Sequence, residues 1–393
     1  MLAIVAPGQG AQTPGFLKPW LEDPAFADRL TWLSAVAGLD LLHFGTDADA
    51  ETIRDTAVAQ PLLVASAMVA ALSLFPHPAD YFGKISVVAG HSIGEIAAAT
   101  GAGVITAEQA MVFVRERGRA MASASAVTPT GMTAVLGGDQ DAVLAALERH
   151  GLTAANNNGG GQLVAAGTLE QLQGLADDPP EKARLIPLSV AGAFHTEHMR
   201  PAVDVLAKLA RSISTHDTRT RLISNRDGQV IHSGPEVLKR LVTQVSSPVR
   251  WDLCMQTMAD LGVTGILEMP PAGTLTGLAR RQLKGVETFA LKTPDQISDA
   301  IEFVEKHGDA TPIGDSPTWR MLVSPSKGTF NQAAEIPQGA RLEPGVTIGD
   351  VSNLRGATPV LAPYGGTIVE WIVEDGDLVS PGQPLVRLHP ESE

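Results

Sequence analysis

The sequence predicts an α/β chain with a small α+β subdomain inserted into it and a separate all-β domain after it. Three observations carry that expectation. Short apolar runs alternate with helix-like stretches from residue 1 to about 306, the pattern of a mostly parallel sheet covered by helices. Between 123 and 190 the order becomes strand–helix–strand–strand–helix–strand, which is ferredoxin-like. Beyond a polar Pro/Gly stretch, an internal repeat begins. The expected organisation is therefore a core of 1–122 and 191–306, an insertion at 123–190, a linker at 307–317 and a β domain at 318–393.

The elements follow in order. Leu2–Ala6 reads as a strand ending in the turn Pro7-Gly-Gln-Gly-Ala-Gln12, Pro61–Leu74 as a helix, 85–89 as a short buried strand and 107–122 as a helix. Inside the insertion, Thr130–Leu136 is strand-like and Asp141–Arg149 helical. The run Asn156-Asn-Asn-Gly-Gly-Gly could suggest a phosphate cradle, but Asn and Gly accept positive φ and predict a tight turn. A strand at Leu163–Ala166, a helix at 169–176 and a strand from Ala183 finish the insertion. A helix near 294–306, with Ile297, Ile301 and Val304 on one face, closes the core before the linker.

Composition bounds the function. At 393 residues the chain exceeds one ordinary core, so two or three folding units are expected. Hydrophobic content is 44% with no apolar run near twenty residues, which predicts a soluble chain with no membrane partner. A net charge of −14 argues against nucleic acid. The single cysteine, Cys254, excludes an internal disulfide and a cysteine metal cluster. Met1-Leu-Ala-Ile-Val-Ala has neither a basic leader nor a long apolar stretch, so no export signal and a cytoplasmic location are expected.

The chemistry centres on Gly90-His91-Ser92-Ile93-Gly94-Glu95, placed between the strand-like run at 85–89 and a helix start. Strand, Gly-x-Ser-x-Gly, helix is the nucleophile elbow. The serine takes a strained backbone position at the tip of a sharp turn, and glycines relieve the crowding around it. The helix N-terminus then aims free N–H groups at any oxyanion formed there.

A serine nucleophile needs a base within hydrogen-bond reach, and ten histidines compete. His195, in Ser189-Val-Ala-Gly-Ala-Phe194-His195, lies where the chain returns from the insertion to the core, and clefts form at such junctions. A buried histidine satisfied by backbone is the competing reading. Arg117 falls on the apolar face of helix 107–122, in line with Phe113, Val114 and Met121. A buried guanidinium must meet an anion, either a fixed acid or a ligand carboxylate.

Taken together, these motifs resemble the malonyl-CoA:acyl-carrier-protein transacylases over about residues 1–306. Pro7-Gly-Gln-Gly-Ala-Gln12 is similar to that family's N-terminal oxyanion loop, Gly90–Glu95 to its nucleophile motif and Arg117-Gly118 to its carboxylate-binding arginine. Gly192-Ala-Phe-His195 is similar to its histidine motif, and Gln244 in Gln-Val-Ser-Ser-Pro-Val-Arg-Trp251 to its late glutamine. The resemblance implies a hydrolase-like parallel core, with malonyl-CoA and acyl carrier protein as substrate and partner and no cofactor or metal. It implies Ser92 as nucleophile, His195 as base and the main-chain carbonyl of Gln244 as orienter of the imidazole. It further implies an oxyanion hole from the N–H groups of Gln9 and Ile93, Arg117 as carboxylate clamp, and Phe194 as a selector against α-methyl substrates. The rival reading is a serine thioesterase or hydrolase on the same elbow. Arg280, Arg281 and Lys284 form the tightest basic cluster near the end of this region, a candidate docking face for an acidic carrier protein.

The C-terminal repeat is explicit. Pro325-x-x-Gly328-Thr329-Phe330 recurs as Pro363-x-x-Gly366-Thr367-Ile368, and Gly339, Pro344 and Gly345 recur as Gly376, Pro381 and Gly382. Two matched halves predict a pseudo-twofold β-barrel or sandwich. They resemble the hammerhead of biotinyl and lipoyl carrier domains, which implies that each half supplies one sheet and that a hairpin between them carries the modified lysine. The alignment places that hairpin near Asn353–Ala357, with Arg355 at the lysine position, and the one lysine from 318 to 393, Lys327, on an early strand. A guanidinium cannot form the lysine amide, so no attached biotin or lipoate is expected. A docking or oligomerisation module is the alternative for this domain.

Overall fold

The computed structural model describes residues 1–190, 192–308, 320–333, 336–354, 356–363 and 365–389. Two compact units emerge, Met1–Ile313 and Gly314–Glu393. Nearly all of the expected linker, and Arg355 itself, lie outside the described residues.

The first unit runs β1 (Leu2–Ala6), α1 (Pro24–Ala37), α2 (Leu41–Thr46), α3 (Thr56–Leu74), α4 (Pro78–Lys84), β2 (Val87–Gly90), α5 (Gly94–Gly101), α6 (Ala107–Ser125), β3 (Thr130–Gly137), α7 (Gln140–Arg149), β4 (Thr153–Gly159), β5 (Gln162–Thr168), α8 (Leu169–Asp177) and β6 (Ala183–Pro187). It continues with α9 (Arg200–Ala210), β7 (Arg221–Ile223), β8 (Val230–Ile231), α10 (Gly234–Gln244), β9 (Val249–Arg250), α11 (Trp251–Asp260), β10 (Gly265–Glu268), α12 (Thr274–Gln282), β11 (Glu287–Ala290) and α13 (Ile297–His307).

The core sheet has the order β11-β10-β1-β2-β7-β8, parallel except where β8 turns back on β7. Its central strands β1, β2 and β10 are buried at every residue, because helices cover both faces. Leu2, Ile4 and Val88 join the cluster with α3, α5 and α6, whereas Ala3, Val5 and Val87 pack on α11 and α12. Ligands of such sheets bind beyond the carboxyl ends of the strands. Here those ends deliver Gln9 after β1, Ser92 after β2 and Asn225 after β7 to one edge.

The helix expected from Pro61 starts earlier, at Thr56, because the Asp55 carboxylate accepts the Ala57 N–H at 2.7 Å and caps it. Pro61 is thus inside α3. By length and composition α3 is apolar enough to cross a membrane, contrary to the expectation of no apolar run near twenty residues; most of it is buried in the core, which explains its composition.

In the inserted region β6-β3-β5-β4 form an antiparallel sheet, and β9 of the core adds to β4 in parallel. α7 and α8 cover one face through Val143, Leu147 and Leu175 against Val135, Leu163 and Ala165. The Asn/Gly run departs from expectation. Asn156–Asn158 belong to β4, and the turn is confined to Gly160 and Gly161, which with Gly159 at the strand end all have positive φ. Pairing with both β5 and β9 holds the asparagines in a strand despite their local preference for turns.

The second unit comprises β12 (Arg320–Val323), β13 (Gly328–Gln332), β14 (Arg341–Leu342), β15 (Val346–Asn353), β16 (Gly356–Ala362), β17 (Gly366–Trp371), β18 (Leu378–Val379) and β19 (Pro384–His389). Two four-stranded sheets, β12-β19-β17-β14 and β16-β15-β13-β18, enclose Phe330, Ile348, Val351, Ile368 and Leu385. Exchanging each strand with its repeat partner maps one sheet onto the other. The repeat is real, but each half gives two strands to each sheet rather than one whole sheet, because successive strands of a half alternate between the sheets. Matched turns at Gly339 and Gly376, with φ of 86° and 90°, require glycine in both copies. β15 and β16 form a hairpin with Asn353 paired to Gly356. Lys327 sits in the bend before β13, not on a strand, and its carbonyl accepts the Asn353 side chain at 2.9 Å.

Candidate active site

The elbow is built by close approach. A Cβ on Gly90 would lie 2.0 Å from the Gly94 carbonyl carbon, and one on Gly94 would lie 2.2 Å from the Ala6 carbonyl oxygen. Only glycine lets α5 start directly against β1 and β2. Ser92, between them, is held at φ 51°, a left-handed conformation that L-residues avoid. Its Oγ is 2.7 Å from Nε2 of His195. His195 also adopts a left-handed backbone, at φ 62°, fixed by its N–H donating to the Val245 carbonyl at 2.9 Å. Nδ1 lies 2.8 Å from the main-chain carbonyl of Gln244, which can only accept, so Nδ1 carries the proton and Nε2 is free to receive one from Ser92. Burial and the nearby Arg117 guanidinium push the imidazole down to about 3, so the base stays neutral near pH 7.

Arg117 is fully buried on α6, directly behind Ser92. Nη1 donates to Gln60 Oε1 at 2.7 Å, and Nη2 donates to Gln244 Oε1 at 2.9 Å and reaches Ser92 Oγ at 3.4 Å. Nε has no partner among the described residues, so the Nε–Nη2 edge of the guanidinium has a donor to spare. Burial pulls Arg117 down to about 9, which leaves it cationic at neutral pH. Among the described residues no carboxylate bonds to it. The acid whose charge acts on it is Glu95, buried on α5.

Two residues that the sequence reading passed over complete the frame. Asn225 accepts the Ser92 N–H at 2.7 Å and donates to the Gly90 carbonyl at 2.7 Å, tying both ends of the elbow to β7. Gln60 steers Arg117 from α3. A run of helix or strand gave no sign of either; the signal available was only a polar residue within an apolar segment, as at Gln60.

Gln9, Ser92, Ile93, Phe194 and His195 line one cavity of about 260 Å3 between the core and the inserted sheet. All seven sequence-derived positions thus converge, five on the cavity wall and Arg117 and Gln244 behind Ser92. The main-chain N–H groups of Gln9 and Ile93 have no partner among the described residues. His91 lines the same cavity and pairs through Nε2 with Asn158 Oδ1 at 2.8 Å. Of the basic cluster, Arg281 reaches Gln162, on the cavity wall, at 3.3 Å, and Arg280 bonds Thr288 at 2.8 Å. Among the described residues no group of three His, Cys, Asp or Glu is placed to hold a metal.

A serine on an elbow, a neutral histidine fixed in one tautomer and a buried cation beside the nucleophile define a serine-dependent acyl-transfer site on an α/β fold. Comparison with known proteins gives the family. Residues 4–303 match the acyl transferase domain. The chain is 51% identical over 299 residues to the malonyl CoA-acyl carrier protein transacylase of Mycobacterium bovis, covering 76% of this chain and 99% of that one. A crystal structure of MCAT from Mycobacterium tuberculosis superposes with a TM-score of 0.74 at 50% identity, covering 77% of this chain and 99% of that chain. A solved complex of a malonyl-transacylase with a type II PKS acyl-carrier protein matches with a TM-score of 0.70 at 28% identity, again over 77% and 99%. The chain belongs to the malonyl CoA-acyl carrier protein transacylases, within the acyl transferase domain family.

Proposed function

We propose that the chain moves the malonyl group from malonyl-CoA to the phosphopantetheine thiol of acyl carrier protein, by a ping-pong route through a malonyl-Ser92 ester, in support of fatty-acid or polyketide synthesis. The observation that carries this reading is the unpartnered Nε of a buried Arg117 guanidinium that bonds no carboxylate among the described residues and whose Nη2 reaches Ser92 Oγ. It suits an acyl group that ends in a free carboxylate, gripped by two parallel hydrogen bonds.

In this reading His195 takes the Ser92 proton as Oγ attacks the thioester carbonyl, and returns it to the departing CoA sulfur. The Gln9 and Ile93 N–H groups hold the oxyanion. Losing such a donor costs about 10²–10³ in rate. The thiol of the carrier protein then attacks the ester, with His195 again as base. The Gln244 carbonyl stands where a triad acid would, and stabilises the imidazole as a dipole rather than an ion. Phe194 on the cavity wall crowds an α-methyl substituent. No cofactor or metal is assigned to the reaction, and a cytoplasmic location fits its substrates. Arg280, Arg281 and Lys284 form the proposed docking face for the acidic carrier protein. We read residues 123–190 as a ferredoxin-like insertion and 318–393 as a biotinyl/lipoyl-like domain without attachment lysine, in a docking or oligomerising role.

Intact-mass spectrometry after brief incubation with malonyl-CoA tests the proposal. A malonyl adduct on the parent protein, absent in Ser92→Ala and weak in Arg117→Ala, is expected. Release of CoA with no adduct would indicate hydrolysis and a thioesterase instead.

A further inference from the structure

Arg117 and Glu95 are a buried guanidinium and a buried carboxyl group with no direct ion pair. One side chain stands between them. The Gln244 amide nitrogen contacts three acceptors: the Ser92 carbonyl at 3.1 Å, Asn225 Oδ1 at 3.4 Å and a Glu95 carboxylate oxygen. Its oxygen faces only the Arg117 donor. The amide therefore has one orientation, and reversing it would set a carbonyl oxygen against three oxygens and an NH2 against a guanidinium. The second Glu95 oxygen accepts the Asn225 N–H at 3.2 Å.

We infer that Glu95 is a positioning residue for substrate selection: through the Gln244 amide it fixes Arg117 as the cationic receptor for the malonyl carboxylate. This rests on the carboxylate-clamp reading of Arg117 given above. The main chain of Gln244 is held apart from this relay. Its carbonyl meets His195 Nδ1 and accepts the Ser247 N–H at 3.1 Å. Loss of the Glu95 charge is thus expected to disturb Arg117 more than His195.

The relay is also sensitive to pH. Burial pushes Glu95 up to about 7. The groups facing it are Arg117 from α6, Arg240 from α10, Arg226 from the loop after β7 and Cys254 from α11. Arg240 is occupied by Asp227 at 2.7 Å and Glu236 at 3.0 Å, and burial keeps the Cys254 thiol neutral. Protonation of Glu95 as pH falls through about 7 removes the anion and leaves Arg117 without its counter-charge.

The test compares serine acylation rates with malonyl-CoA and with acetyl-CoA, which lacks the carboxylate, for the parent, Arg117→Ala, Glu95→Gln and the double variant. Glu95→Gln is expected to lower kcat/KM for malonyl-CoA about tenfold or more, mainly through KM, and for acetyl-CoA by less than about threefold. In the double variant it should add nothing to Arg117→Ala. In the parent, malonyl acylation should show an acid limb near pH 7 that acetyl acylation lacks, a readout needing no variant. Equal losses with both substrates, or a shared acid limb, would make Glu95 a structural support of the elbow and overturn the inference. If Arg117→Ala itself left the malonyl preference intact, the clamp reading would fail instead.

Discussion

Ser92 and His195, 103 residues apart in sequence, both hold left-handed backbone conformations, and their reactive atoms lie 2.7 Å apart. Neither residue type favours φ near 50–60°, and each such residue costs on the order of 1–3 kcal/mol. The surroundings over-determine both. Asn225 and the two elbow glycines fix Ser92, and the Val245 carbonyl fixes His195. The pair is positioned by backbone, so little side-chain freedom remains to be lost when substrate arrives.

Replacing the base should show this directly. We expect His195→Ala to slow malonyl-enzyme formation by about 10²–10⁴, measured by rapid quench and mass spectrometry, with little change in malonyl-CoA affinity.

The same histidine has a stability signature. Its folded pKa, near 3, lies below the ordinary value of 6.5, so the unfolded state binds the proton first. Its contribution is present above pH 6.5 and lost as pH falls toward 3. Glu95, raised to about 7, works in the opposite sense between about 4.5 and 7. Replacing His195 by Gln isolates the first effect. The Tm of the parent minus that of His195→Gln should shrink as pH is lowered from 7 to 4, and a difference independent of pH would mean that the imidazole is not held neutral.

Phe194 gives a test of selection by shape. Phe194→Ser removes a phenyl ring from the cavity wall, and one methyl group in a pocket is worth roughly 1–3 kcal/mol. The ratio of kcat/KM for methylmalonyl-CoA to that for malonyl-CoA should rise by about 10- to 200-fold. No rise would move the selector elsewhere on the wall, to Met121, Met132 or Leu188.

Deletion of residues 312–393 should leave malonyl transfer to carrier protein within a few-fold of the parent, because every residue of the cavity lies between Gly8 and Leu278. A collapse of kcat in a truncated protein with unchanged circular dichroism would give the β domain a part in turnover.

The elbow, the histidine loop and the alternation of the core were legible in sequence because each is local: glycines at fixed spacing, an apolar run of strand length, a turn. The repeat was legible for the same reason, since Gly339 and Gly376 answer to identical turns. What the sequence hid is set by partners far along the chain. Gln60 on α3, Glu95 on α5 and Asn225 in the loop after β7 acquire a role only when the sheet brings them to Ser92 and Arg117. Asn156–Asn158 read as a turn because local preference says so, and β5 and β9 overrule it. The exchange of strands between the halves of the β domain was equally hidden, as sequence similarity shows which strands correspond but not which sheet each one joins.

That exchange has a consequence for how the chain is made. β12 pairs with β19, so the first strand of the β domain waits for the last before its sheet can close. During synthesis at about 5–20 residues per second, the cavity-bearing unit has left the ribosome roughly 4–16 seconds before that closure. Over that interval the emerging strands have unpaired edges, and the catalytic unit is already free to fold.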